Sequence, residues 1–121
     1  MKSSPVFGVS LSSLCIWTMV VDIQWYEPGA ESHQYRKDAE LVMDEYGRLL
    51  PAANRFPSAQ GGNGFRPLAD YVHSLGLKFG IHILRGIPRQ AIRLNTEIKG
   101  SGRRAAEIAD FGSVCQWNGD M

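Results

Sequence analysis

What this chain can fold into is constrained most by Phe65 to Arg85, FRPLADYVHSLGLKFGIHILR, where the spacing of apolar residues switches abruptly from a helical period to a strand period. Phe65, Leu68, Ala69, Val72 and Leu75 fall on one helical face, while Arg66, Asp70, His73 and Ser74 fall off it. Gly76 supplies a residue that accepts the left-handed conformation in which such a helix commonly stops. Beyond it Leu77, Phe79, Ile81 and Ile83 point one way, and Lys78, Gly80, His82 and Leu84 the other. The stretch is therefore predicted to be one αβ unit, its wholly apolar strand face packed on helices.

The second strand face carries His82 near its carboxyl end, with Arg85 just beyond. Ligands of parallel α/β sheets, open or closed, sit at the carboxyl ends of the strands, so both residues stand where a site would form. The residues alone leave two readings open. Either His82 and Arg85 face a ligand, or His82 is a hydrogen-bonded core histidine and Arg85 a solvated loop charge.

Another strand is predicted over Met19 to Trp25, MVVDIQW, from its β-branched and aromatic residues and from the Glu27-Pro28-Gly29 that punctuates its end. Asp22 is the unusual member, because a carboxylate inside an apolar run is costly unless it is paired, hydrogen-bonded or turned to a polar cavity. Trp25 reads either as a stacking surface for a sugar face or as a cap on the core. Residues 1–18 read as a poorly specified amino-terminal segment, separate from a folded region at 19–121. The apolar-rich run from Val6 to Val21 superficially resembles a secretion signal, but it lacks an A-x-A-like cleavage site. Its serines and Asp22 make it a poor membrane span.

Ala30 to Asn63 is long for one αβ connection and should carry structure or function of its own. Within it Leu41 to Pro51 reads as a short hairpin turning at Gly47, and Gln60 to Gly64 as a flexible approach to the helix. His33, Tyr35, Arg36 and Lys37 are placed either to reach a ligand or to be solvated. After Arg85, Gly86-Ile87-Pro88 breaks the strand and Arg89 to Lys99 reads as polar and irregular. Ser101 reads as the N-cap of a short helix ending near Asp110, and Val114 to Met121 as a turn-prone loop.

Composition enters through what it excludes. The 121 residues are 44% hydrophobic and 21% charged with a net charge of +1, ordinary for one globular domain at most. No basic stripe interleaved with aromatics marks the chain for nucleic acid. Cys15 and Cys115 lack metal-ligand spacing and are too few for a disulfide scaffold; they pair only if the fold brings them together, and otherwise read as two buried free thiols. No cofactor, no metal and no membrane partner is expected.

Three segments, VVDIQW (20–25), DEYGRLLPAANRFPS (44–58) and PLADYVHSLGLKFGIHI (67–83), in this order and spacing, resemble the early barrel region of the α-galactosidases of glycoside hydrolase family 27. The resemblance runs roughly from Met19 to Met121 and is strongest from Asp44 to Ile83. Arg85-Gly86-Ile87-Pro88-Arg89 and Cys115-Gln116-Trp117-Asn118 resemble a branch of that family, found in bacteria and plants, with a long insertion after the third barrel strand. The resemblance implies an α/β fold: a fragment of a (β/α)8 TIM barrel containing about strands 2 and 3, the intervening helix and a small hairpin insertion. Residues 19–121 would then form a partial glycosidase barrel domain.

In the family, terminal α-galactosyl residues are removed with retention by two aspartates, a geometry that needs carboxyl groups about 5 to 5.5 Å apart across the anomeric carbon. The resemblance places the nucleophile in a Lys-x-Asp-type motif on the fourth strand, which this sequence does not contain, so no catalytic residue is assigned here. It implies that Asp22 hydrogen-bonds sugar hydroxyls and that Trp25 belongs to the wall of the site. His82 stands where many members carry tyrosine. Arg85 completes the expected substrate-binding set through its place after the strand. Many members have a second aspartate beside Asp22, where this chain has Ile23.

The expected partner is a carbohydrate, an α-galactoside. The alternative is a non-catalytic remnant or sugar-binding fragment without turnover. A different barrel enzyme, using His82 and Arg85 on an anionic substrate, is a third reading. Two or three strands of an eight-stranded barrel leave edges unpaired and an apolar face open, so the chain should be marginally stable, prone to aggregate, or dependent on the rest of a longer protein.

Overall fold

The computed structural model describes residues 17–31, 35, 36, 38–113 and 115. Its centre is a parallel strand pair in which β1 (Thr18–Val21) lies beside β2 (Lys78–Ile81). Thr18 stands opposite Lys78, Met19 opposite Phe79, Val20 opposite Gly80 and Val21 opposite Ile81. β-Branched and aromatic side chains suit this pleated pairing. Among the described residues the sheet stops at two strands, leaving it small and open.

The helix α1 (Arg66–Ser74) leads into β2 and carries Pro67 in its first turn, where a missing N–H is harmless. Gly76 takes φ 78°, its N–H donates to the His73 carbonyl at 2.9 Å, and the Leu77 N–H donates to the Val72 carbonyl at 3.3 Å. These two bonds form the left-handed stop expected at Gly76 and turn the chain straight into the strand. Val72 is buried on the inner face of α1.

Both strands are shorter than their apolar patterns. β1 ends at Val21, so Trp25 lies in the following turn and not in a strand running from Met19 to Trp25. Tertiary bonds hold that turn. The Arg55 guanidinium donates to the carbonyls of Gln24 and Glu27, the Ala52 N–H to Trp25, and the Val42 N–H to Tyr26. Gln24 adopts φ 64°, which a strand cannot accommodate. Along the predicted apolar face Leu77 and Phe79 are half-buried, the Phe79 ring centroid lying 5.8 Å from that of Phe65. Ile81 and Ile83 stay exposed, so the expectation that helices cover this whole face is not met.

The core sits beside the strand pair. Trp25, Tyr26, Leu41 and Cys115 are buried together, with Val21, Met43, Leu49, Phe56 and Phe65 packed around them. Cys115 is a buried free thiol, and Cys15 lies outside the described residues. Part of the long connection builds this core through a bridge between Met43 and Leu49. The turn between them is fixed by Asp44, whose Oδ1 accepts the N–H groups of Tyr46 and Arg48 at 2.9 Å each. Ahead of α1 the chain makes short 3-10 turns over Pro57–Gly62, interrupted by non-helical backbone at Gln60 and Gly61.

Gly47, at φ 74°, closes that turn against the carboxyl-terminal part of the chain. A Cβ there would sit 2.7 Å from Thr96 Oγ1 and 2.9 Å from the Ala91 Cβ. The Gly47→Ala substitution should therefore cost about 2 kcal/mol through left-handed strain and overpacking. Chemical denaturation would show this as a lower midpoint, and an unchanged midpoint would mean that the turn does not press on Thr96.

The remaining elements differ from the pattern-based reading. Arg89 to Lys99 is not irregular: it forms helix α2 (Arg89–Leu94), ended by Asn95 in the left-handed region, and then β3 (Glu97–Ile98). β3 pairs antiparallel with β4 (Arg103–Arg104), and helix α3 is confined to Ala105–Ile108. Ser101 caps no helix. Its hydroxyl donates to the Ile98 carbonyl at 2.7 Å and accepts the Arg103 N–H at 3.0 Å, between Gly100 and Gly102 at positive φ. Hence Ser101 makes the hairpin turn that delivers the chain to α3.

Candidate functional site

Opposite residues of a parallel pair share a face, so Thr18, Val20, Lys78 and Gly80 line one side of the sheet. A Cβ built on Gly80 would lie 3.8 Å from the side chains of both Thr18 and Val20, an ordinary contact. Continuing the pleat one position beyond the strands sets Asp22 opposite His82. Their side chains meet, with Asp22 Oδ1 2.9 Å from His82 Nδ1. The Ile23 N–H donates to the same carboxylate oxygen at 2.8 Å, and the His82 N–H donates to the Val21 carbonyl at 2.9 Å. The pair thus stands at the carboxyl-terminal tips of two neighbouring strands.

Both side chains are open to solvent, 81% for Asp22 and 50% for His82. The hydrogen bond from His82 and then the Ile23 amide hold the Asp22 carboxyl below its ordinary range, against a slight opposing push from burial. Because the folded-state value is depressed, this interaction stabilises the fold above the ordinary carboxylate value of 3.8 and is lost as pH falls through the lowered one. An NMR titration of the Asp22 side-chain carbon should show a midpoint below 3.8 that rises in His82→Ala. An unmoved midpoint in that variant would mean that the bond does not persist in solution.

Trp25 supports the pair from behind. Its ring is 3% exposed, and its indole N–H donates to the His82 carbonyl at 2.9 Å, fixing one strand tip to the turn that follows the other. Edge-on contacts to Tyr26 and Phe65, at centroid distances of 5.0 and 5.1 Å, hold the ring in place. Tyr35 lies within electrostatic reach of the site: burial pushes its hydroxyl up, with smaller contributions from the Cys115 thiol and the Asp22 carboxylate. Arg36 is committed elsewhere, its Nε 2.7 Å from Oε1 of the buried Glu27. His33 and Lys37 lie outside the described residues.

Arg85 does not join Asp22 and His82 by any hydrogen bond or ion pair among the described residues. It opens instead onto a cavity of about 600 Å³ lined in part by Arg89, Arg93, Ile92 and Phe111. Arg89 and Arg93 are the site candidates that sequence reading passed over, because their segment carried no clear helical period. Among the described residues no group of three or more His, Cys, Asp or Glu side chains is placed to hold a metal ion. No described helix is long and apolar enough to cross a membrane.

Comparison with known proteins gives the site its context. No family model matches the chain. It is similar to the crystal structure of a β-L-arabinopyranosidase of glycoside hydrolase family 27 from Geobacillus stearothermophilus, with 66% identity and a TM-score of 0.84 over 87% of this chain and 24% of that one. A variant of that enzyme in complex with arabinose matches at 59% identity and a TM-score of 0.86, over 98% of this chain and 27% of that one. Among curated relatives, an α-galactosidase from Coffea arabica is 52% identical over 44 residues, 36% of this chain and 10% of that protein. A human α-N-acetylgalactosaminidase is 56% identical over 39 residues, 32% of this chain and 8% of that protein. The chain therefore spans about a quarter of the solved structures it matches.

Proposed function

The chain belongs to glycoside hydrolase family 27, and from that premise we propose that it is the sugar-recognising portion of a retaining glycosidase, with β1 and β2 serving as the second and third strands of the barrel. The reading rests on one observation above all: an aspartate and a histidine, 2.9 Å apart, at the carboxyl-terminal tips of two parallel strands. The domain reading of residues 19–121 as partial barrel goes with it.

The relatives' names specify galactose, N-acetylgalactosamine and arabinopyranose. In the anomeric forms named, these rings share the configuration of their C3 and C4 hydroxyls. They differ at C2, where an acetamido group replaces a hydroxyl in one, and at C5, where arabinopyranose lacks the hydroxymethyl group. A carboxylate accepts strong hydrogen bonds from hydroxyls. Asp22, held ionised by His82 and the Ile23 amide, is assigned to the hydroxyls common to all three sugars. Ile23 presents an apolar side chain where many family members have a second acceptor. A hydroxymethyl group placed there would lose a hydrogen bond it makes in water, whereas arabinopyranose has nothing to lose. The preferred substrates are therefore β-L-arabinopyranosides ahead of α-galactosides.

Retaining hydrolysis needs a nucleophile and an acid/base carboxyl about 5 to 5.5 Å apart. Asp22 is a binding group in this scheme, and the reacting pair belongs to the part of the relatives' length that this chain does not span. The 121-residue chain should bind 4-nitrophenyl β-L-arabinopyranoside saturably, bind the corresponding α-D-galactopyranoside more weakly, and release nitrophenolate from neither. Absence of binding to both, or a preference for the galactoside, would overturn the assignment of Asp22 and Ile23. Turnover blocked by a galactose mimic would overturn the placement of the catalytic pair.

A further inference from the structure

We propose that the cavity beyond the end of β2 is a binding site for an apolar anion, of the aryl carboxylate kind, which on the sugar-site reading above is the leaving group of the glycoside. The cavity is lined in part by three arginines, Arg85, Arg89 and Arg93, and by the apolar residues Ile87, Ile92 and Phe111. None of the three arginines has a hydrogen-bond or ion-pair partner among the described residues. Arg89 and Arg93 are four apart on α2, a spacing at which neighbouring like charges weakly repel and an anion would be welcomed. Asp110 is the one carboxylate among the described lining residues, and its Oδ1 already accepts the Gly112 N–H at 3.0 Å.

The apolar half of the wall is equally unsatisfied. Phe111 is 72% exposed and Ile108, on the same lining, is 55% exposed. A small inorganic anion would pair with the arginines and leave this surface wet, whereas an aromatic ring bearing a carboxylate covers both. At about 600 Å³ the cavity has the size of a small-molecule site. Its lining is connected to the strand tips through the chain and the core. Arg85 follows His82 by three residues on the exit from β2, and Cys115 on the cavity lining packs in the same buried cluster as Trp25, whose indole holds the His82 carbonyl. On this proposal a glycoside seated at Asp22 and His82 extends its aglycone toward this cavity.

The test compares three probes on the 121-residue chain by NMR titration: 4-carboxyphenyl β-L-arabinopyranoside, its neutral methyl ester, and benzoate. The acid should bind about tenfold more tightly than the ester at low salt, the magnitude of one or two charge-assisted hydrogen bonds at a partly exposed site. Added salt should narrow the difference. The paired substitutions Arg89→Gln and Arg93→Gln should bring acid and ester to parity, and circular dichroism should show that the fold is kept. Benzoate should bind weakly with shifts around Arg85, Arg89 and Arg93, unaffected by Asp22→Ala. Equal binding of acid and ester together with no benzoate shifts at the arginines, or an acid preference that survives the paired substitution, would overturn the proposal. If benzoate binds at the arginines while neither glycoside binds, the anion site stands and the sugar-site reading falls.

Discussion

Replacing Trp25 with alanine should abolish cooperative unfolding of this chain. The ring is buried among Tyr26, Phe65, Leu41 and Cys115, and large-to-small substitutions of such aromatic residues cost about 3 to 5 kcal/mol. A sheet of two strands with exposed apolar residues on it has little stability in reserve. Trp25 also donates its indole N–H to the His82 carbonyl, so its loss removes this link between the turn after β1 and the end of β2. Trp25→Phe separates the two contributions. It keeps an aromatic ring and loses the N–H, and should cost about 1 to 3 kcal/mol, because the His82 carbonyl is left without this partner. Thermal unfolding followed by circular dichroism reads both variants. A midpoint in Trp25→Ala equal to that of the unaltered chain would show that the core is organised elsewhere.

Asp22→Ala should weaken arabinopyranoside binding by roughly 10- to 100-fold while leaving the fold intact, the range expected when a charged acceptor of sugar hydroxyls is removed. The side chain is exposed, so its loss opens no cavity. His82→Ala should have a smaller effect, since His82 is assigned to holding the Asp22 carboxylate as much as to touching the sugar. Asp22→Asn discriminates further: it retains a hydrogen-bond acceptor but loses the charge, and should fall between the two. Titration calorimetry of each variant checks the order. Binding undiminished in Asp22→Ala would place the sugar away from the strand tips.

Much of this was legible because the signals are local. The helix from Arg66 to Ser74, its stop at Gly76 and the strand that follows are dictated by residue spacing within one short stretch. The pairing of β1 with β2 was not written in either strand, yet the alternation along each put Asp22 and His82 on the same face once they were laid side by side. What failed to show was decided at a distance. MVVDIQW has strand character to its end, and the turn at Gln24 arises because Arg55, Ala52 and Val42 capture the carbonyls of Gln24, Trp25, Tyr26 and Glu27.

The same holds for α2. Six residues give no readable period, and the helix is held through Gln90, whose amide donates to the Leu41 carbonyl at 2.8 Å and accepts the Leu41 N–H at 2.7 Å. Ser101 carried a genuine local signal with two outcomes, a helix cap or a turn, and the flanking glycines at positive φ decided for the turn. Arg85 lies four residues beyond the end of β2. Its neighbours on the cavity, Arg89 and Arg93, became visible only when α2 folded beside it.

The account depends on a sugar being held by the tips of β1 and β2. Backbone amide shifts of the ¹⁵N-labelled chain, followed while L-arabinose is added, test this most directly. The account predicts saturable changes that are largest at Ile23 and His82 and that vanish in Asp22→Ala. Saturable changes confined to residues away from these two tips, or none at all, would contradict it.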